Sequence, residues 1–356
     1  MRAAVLVSVV VGACGGGGDG RAHDASVIDA SVADASVADA PSDAGPARFT
    51  LREVGRVTGP VPTDLALAGT LLYVKCEGPE VMEVVDVQDP AHPRAMAPLS
   101  PAGASGAYAG IAIAGNRAYL AHESDGLIIA DVSNPAAPAV LGAYRSTAPS
   151  FYPKDVTVNG TLAFVADQDF GLVVLDVANP AMPVRRGALA SDGPFGIARS
   201  GTTIYLGDNS GGLAIVDVTN PMLPVRSGGD TSYGEVRNVA VRGTTVFALM
   251  DDGTTANTGL IIVDAQNPAA LVRLGRYPTP KLLRLHVGDR HAYIAGEAAI
   301  DVVDIGDLAQ PTRMTSYSFT GEIPQSVLAS ATHVFVGTLS LADSSGSLVV
   351  LEKVPQ

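Results

Sequence analysis

GLAIVDVTNPMLPV, running from Gly212 to Val225, reads as a turn glycine, an apolar strand, an acidic stop at Asp217 and an exit through Pro221 and Pro224. Nearly the same phrase returns as GLIIADVSNPAAPAV (126–140), GLVVLDVANPAMPV (171–184) and GLIIVDAQNPAALV (259–272). A phrase that recurs at a steady period marks a repeat architecture, so the period is the first thing to establish.

The terminal acid recurs as Asp86, Asp131, Asp176, Asp217, Asp264 and Asp304, with Glu352 in the seventh place, at intervals of 40 to 48 residues. Each unit has an apolar strand, a Gly-centred turn, a strand with Tyr or Phe near its start and a polar loop. A strand ending in the acid, a proline-rich exit and a weaker fourth strand follow. GIAIAGNRAYLAHESDGLIIADVSNPAAPAVLGAYR (110–145) shows the whole pattern. Four short strands in about 44 residues suit one blade of a β-propeller, and seven copies fall within the usual range of about four to eight. Runs such as LVVLDV are continuously apolar rather than alternating, as expected of strands covered on both sides by neighbouring blades.

A solenoid or β-helix is the alternative, and the chain ends discriminate. The seventh unit stops after its third strand, LVVLEK, while FTLREVGRV (49–57) resembles the fourth strands AVLGAYR (139–145) and LVRLGRY (271–277). The expectation is an all-β, seven-bladed propeller of four-stranded blades, closed by the N-terminal strand completing the last blade. Closure of this kind removes the exposed edge at the seam.

GLVVLDVANPAMPV, GLAIVDVTNPMLPV and GLIIVDAQNPAALV resemble the LVIVD repeat of bacterial surface and exported proteins, over essentially all of 48–356. Blades two to five carry the resemblance best. Blade six, AAIDVVDIGDLAQPTRM, lacks the Asn-Pro, and blade seven departs after Glu352. The resemblance implies a β-propeller fold and export, and supplies no catalytic residue.

Composition agrees with many short strands: 39 Gly and 24 Pro among 356 residues, 47% apolar and only 17% charged. Net charge is −13. Residues 1–47 hold Arg2 and Arg21 against six Asp, leaving −9 for the rest. An acidic body without a Lys/Arg run argues against nucleic acid or anionic headgroups bound by charge.

MRAAVLVSVVVGAC has Arg2, a largely apolar run from Ala3 to Val11 and small residues before Cys14. The run is too short to span the roughly 30 Å of a bilayer core, so it reads as a secretory signal. Val11-Gly12-Ala13-Cys14 resembles the bacterial lipobox, which implies cleavage before Cys14 and a diacylglycerol on its thiol; an ordinary signal cut near Ala13 is the alternative. Residues 1–14 are then the signal, 15–47 a tether and 48–356 the propeller. Asp24, Asp29, Asp34 and Asp39 recur every five residues, matching neither the helical nor the strand period. The tether therefore reads as a disordered spacer reaching on the order of 30 Å. The expected location is the bacterial cell envelope, at the outer membrane, as a lipid-anchored monomer. Cys76, closing LLYVKC, reads as a packed thiol.

A ring of one carboxylate per blade could suggest a metal crown. An Asp at a strand end before Asn-Pro has a plainer use, accepting hydrogen bonds from turn N–H groups, and that is the expected role of Asp86, Asp131, Asp176, Asp217, Asp264 and Asp304. Binding is expected on the opposite face, where the loops between second and third strands and between blades vary. Candidates there are His122, Glu123, Asp125, Asp167, Asp169, Asp208 and Asp251 from the first set. Tyr108, Tyr152, Asp155, Tyr233, Glu235, Asn238 and Arg284 come from the second, and His286, beside Arg284 on an expected inner strand, is the best single candidate for channel chemistry, with a packed or solvated histidine as the plainer reading. Catalysis has thin support: the six His are scattered, and there is no H-x-x-x-H, C-x-x-C or G-x-S-x-G and no Trp. The leading expectation is a noncatalytic scaffold for an envelope protein or polysaccharide, without cofactor or metal. The alternative is a propeller-type hydrolase or lyase with an axial cation, for which Ca²⁺ is the candidate.

Overall fold

Each copy folds as the four-stranded meander its pattern predicts. The computed structural model describes residues 48–356 apart from 79–80, 101–108, 124, 147–150, 252–257 and 280–281, so Cys14, the signal, the tether and Tyr108 lie outside the described residues. The described strands form seven antiparallel four-stranded sheets. Blades one to six span 62–99, 111–144, 153–189, 194–230, 235–278 and 282–318. Blade seven combines Glu322–Ala329, His333–Ser340 and Gly346–Pro355 with the N-terminal strand Phe49–Gly59. That strand pairs antiparallel with the last one, from Phe49 opposite Pro355 to Gly59 opposite Gly346, so the expected closure is present.

The core is a ring of seven apolar clusters, one at each blade junction. Between blades two and three, Tyr119, Leu127 and Ile129 pack on Val156, Val165 and Val173. At the seam, Leu65, Leu72 and Val85 of blade one meet Phe335, Leu348 and Val350 of blade seven. Fully burying one such side chain contributes about 1.5–3 kcal/mol, which is why the second and third strands are buried almost throughout. The outer strands, such as Val184–Leu189, remain exposed at their starts.

Turns between first and second and between third and fourth strands share one face, the turn face. There Val132, Val177 and Val218 each donate a backbone hydrogen bond across to Asn116, Thr161 and Thr202, at 2.8–2.9 Å. The repeated Asp acts as expected: Oδ1 accepts the N–H two residues on in all six copies. The bonds run from Gln88 to Asp86, Ser133 to Asp131, Ala178 to Asp176, Thr219 to Asp217, Gln266 to Asp264 and Gly306 to Asp304, all 2.8–2.9 Å. A second cap follows. Asn179 Oδ1 accepts from Ala181 N–H at 3.2 Å, and Asn134, Asn220 and Asn267 do likewise. In blade six Asp307 takes the Asn place, so the turn survives without the Asn-Pro.

The turn also locks blades together. A Cβ added at Gly228 in the outer strand of blade four would lie 1.8 Å from the Pro268 carbonyl oxygen in the turn of blade five. Gly55, Gly142, Gly187 and Gly275 meet the next blade's turn in the same way. Thr315 stands at the corresponding register in blade six, where the next blade's third strand runs on through Glu352 to Pro355 with no such turn.

Candidate binding face and axial channel

The first strand of each blade lines the axis, and after a β-bulge in six of them one residue takes the same register: Asp64, Asp155, Gly196, Asn238, Arg284 and Ser326. The bulge re-aims that residue, as bulges do. Several of these side chains reach a neighbouring inner strand. Asp64 Oδ2 accepts from Ile111 N–H at 2.9 Å, and Asp155 Oδ2 from Ile197 N–H at 3.1 Å, while its Oδ1 takes Val156 N–H at 2.8 Å. Asn238 Oδ1 accepts from Leu285 N–H at 3.3 Å, and Ser326 Oγ donates to Pro62 O at 3.2 Å. Arg284 Nε donates to Thr63 O at 3.3 Å.

Depth within the molecule pushes the Asp155 carboxyl up to about 7, reinforced by the charge of Asp64 and opposed by Arg284. Burial likewise raises Asp64, with Arg284 pulling it back. Arg284 already supplies the positive charge that an axial cation would bring to the two acids.

His286 also lines the channel. Burial, then the charge of Lys353, lowers it to about 4, so it stays neutral near pH 7 and is a poor match for acid–base work there. The channel encloses a cavity of about 440 Å³, with walls including Leu67, Val239, Leu285 and Leu328, and with Arg199 and Arg242 near its turn-face end.

At the loop face of blades two and three, charged and aromatic side chains meet. Lys154 forms an ion pair with Glu123, with its Nζ 5.1 Å from the Tyr152 ring centroid and 5.7 Å from that of Phe195. Arg145 pairs with Asp125, and its Nε donates to Asp125 O at 3.3 Å. Tyr152 is 40% exposed, presenting a large ring beside fixed charges.

Other candidates lie beneath this face. His122 is buried, and its Nδ1 accepts from Asp125 N–H at 3.3 Å; burial and the nearby Lys75 charge hold its pKa down. Asp167 is buried, with Oδ1 accepting from Asp169 N–H at 3.0 Å and Phe170 N–H at 2.8 Å, while Asp169 itself is exposed. Asp208 is buried and accepts from Ser191 Oγ at 2.5 Å. Burial raises both acids. Asp251 accepts from Thr258 Oγ at 3.1 Å, and Glu235 pairs with Arg237 at 2.9 Å. Tyr233 is buried in the 3-10 turn Thr231–Tyr233.

The candidates thus separate into an axial group (Asp155, Asn238, Arg284, His286), a loop-face group (Glu123, Asp125, Tyr152) and residues dispersed around the rim. Asp64 and Lys75 were not among them. Asp64 in PTDL occupies the repeat place of Asp155 in PKDV, so aligning the copies on the proline would have found it. Lys75 interrupts the apolar run LLYVKC; it is buried, donates to Cys76 O at 2.9 Å and is lowered to about 8 by burial. Cys76 is itself buried, as a packed thiol should be. Among the described residues, no three His, Cys, Asp or Glu side chains are grouped to hold a metal ion.

Five segments, 105–146, 152–189, 196–228, 233–279 and 284–318, match the family described as the LVIVD repeat. No curated protein matches the chain. Solved structures share the architecture at low identity. A chain in a mitotic checkpoint complex is similar at 13% identity and TM-score 0.67, over 90% of this chain and 98% of that one. A computationally designed protein, Ika8, is similar at 12% and 0.57, over 87% and 100%. PorZ, a bacterial surface component of the type-IX secretion system of Porphyromonas gingivalis, is similar at 18% and 0.55, over 85% of this chain and 39% of its own. At these identities the likeness shows the fold alone.

Proposed function

The chain belongs to the LVIVD-repeat family, and on that premise we propose a noncatalytic binding protein of the bacterial cell envelope. An acyl chain on Cys14 holds it at the membrane, and the loop face receives an envelope protein or polysaccharide. The observation carrying this reading is the contrast between the faces. On the turn face the six repeated carboxylates are engaged by their own turns, whereas blades two and three present the exposed Tyr152 ring and the exposed Arg145 of the Arg145–Asp125 pair at the loop face, beside the buried Lys154 and its partner Glu123, on a rigid frame. Aromatic surface beside fixed charge is the composition of recognition surfaces, and rigid scaffolds present such residues on variable loops.

Two measurements test the proposal. Labelling cells with a fatty-acid analogue should mark wild type and not Cys14→Ser; equal labelling removes the anchor. Crosslinking in native envelopes should recover a partner with wild type and lose it with combined Tyr152→Ala and Arg145→Ala substitutions. Equal recovery of every partner removes the binding face.

A further inference from the structure

Of nine large apolar side chains exposed among the described residues, seven fall in the exit phrases of four consecutive blades, two to five. Blades three and four carry the most prominent: Met182 is 70% exposed, Met222 68% and Leu223 67%, with Val184 and Val225 just beyond. The fold does not call for them. Met182 and Leu223 donate their N–H to Asn179 O and Asn220 O at 3.0 Å, and Ala137 and Ala270 close the same turn with the same bond. A large apolar residue at the tip of a turn that alanine serves equally well is surplus to folding, and contiguous exposed apolar surface marks an interaction site.

Two further observations indicate what covers it. Outer strands run from the turn face to the loop face, and the strand Phe49–Gly59 begins at the turn-face end of blade seven, opposite Pro355. The 48 residues that precede it, Cys14 among them, therefore join the body on the face bearing the apolar tips. The carboxylates beside those tips are internally satisfied: Asp176 binds its own turn and takes Arg186 at 2.6 Å, and Asp217 binds Thr219 N–H.

We propose that the turn-face edge of blades three and four rests on a lipid surface of neutral headgroups, with Met182, Met222 and Leu223 entering the interfacial layer. The acidic body disfavours an anionic surface, and apolar insertion needs none. The inference takes its setting from the envelope reading above but does not require the acyl chain.

The test uses the full chain with Cys14→Ser and phosphatidylcholine vesicles. A nitrobenzoxadiazole label on Leu223→Cys should shift to the blue and brighten on adding vesicles. The same label on Leu341→Cys, equally apolar and 65% exposed on the loop face, should not change. Adding Met182→Ser and Met222→Ser should weaken vesicle cosedimentation about tenfold, with little effect of 0.5 M NaCl as an added condition, roughly the screening regime of a few ångströms. No shift at Leu223→Cys, an equal shift at both labels, or a shift seen only with envelope proteins would overturn the proposal. Fatty-acid labelling of Cys14 is read separately, so either idea can fail while the other stands.

Discussion

The turn face and the loop face are made by the same seven repeats and obey different rules. On the turn face one hydrogen-bond pattern is copied six times, and side chains that depart from it, such as Asp307 for Asn, preserve the bond. On the loop face and along the axis, equivalent places hold Asp64, Asp155, Gly196, Asn238 and Arg284. Repetition therefore identifies what the ring needs to close, and divergence identifies what is left for recognition.

The largest expected effect attacks the uniform face. Gly228→Ala places a methyl 1.8 Å from Pro268 O and should lower unfolding free energy by about 3 kcal/mol in urea titration. Gly243→Ala, with nothing within 4 Å of the added Cβ, strains only its own positive φ and should cost about 1 kcal/mol. Equal losses would mean that the turn does not lock neighbouring blades.

Next, Asp176→Ala removes the Ala178 N–H bond and the Arg186 pair and should cost on the order of 1 kcal/mol or slightly more, without changing partner capture. Lost capture with an unchanged melting curve would assign that residue to recognition instead.

The axial acids give a smaller, pH-dependent effect. Because Asp155 is raised from 3.8 to about 7 on folding, the folded chain holds its proton longer than the unfolded chain. The stability this brings is complete below pH 3.8 and is lost as pH rises through 7. Wild type should therefore lose about 1 kcal/mol relative to Asp155→Asn between pH 5 and 8, discounted for water in the channel. Parallel pH profiles of melting temperature would contradict this. The smallest effect belongs to Tyr152→Ala, which should change stability by less than about 0.5 kcal/mol.

The repeat period, the acidic stop and the mismatched chain ends made the ring and its seam legible in the sequence, because each reflects a local hydrogen bond or a missing strand. The glycine lock was not legible as such: Gly142, Gly187 and Gly228 sit in weak outer strands, and their partner carbonyls lie in the next blade. The candidate site was only partly legible for a related reason. Loop assignment placed Asp155 and Asn238 between blades, whereas a β-bulge turns each from the start of an inner strand toward the channel; Arg284 and His286 do lie on the inner strand expected for them. Asp167 and Asp208 looked like loop carboxylates, but their strands carry them under the surface.

The most direct test of the division between faces measures melting and crosslinked partner yield together for two variants of the full chain. The account predicts that Asp176→Ala/Asp217→Ala melts lower and, while folded, captures the partner as wild type does. Tyr152→Ala/Arg145→Ala, both exposed at the loop face, should melt close to wild type and lose capture. The reverse pattern, or loss of capture in step with melting in both variants, would contradict it.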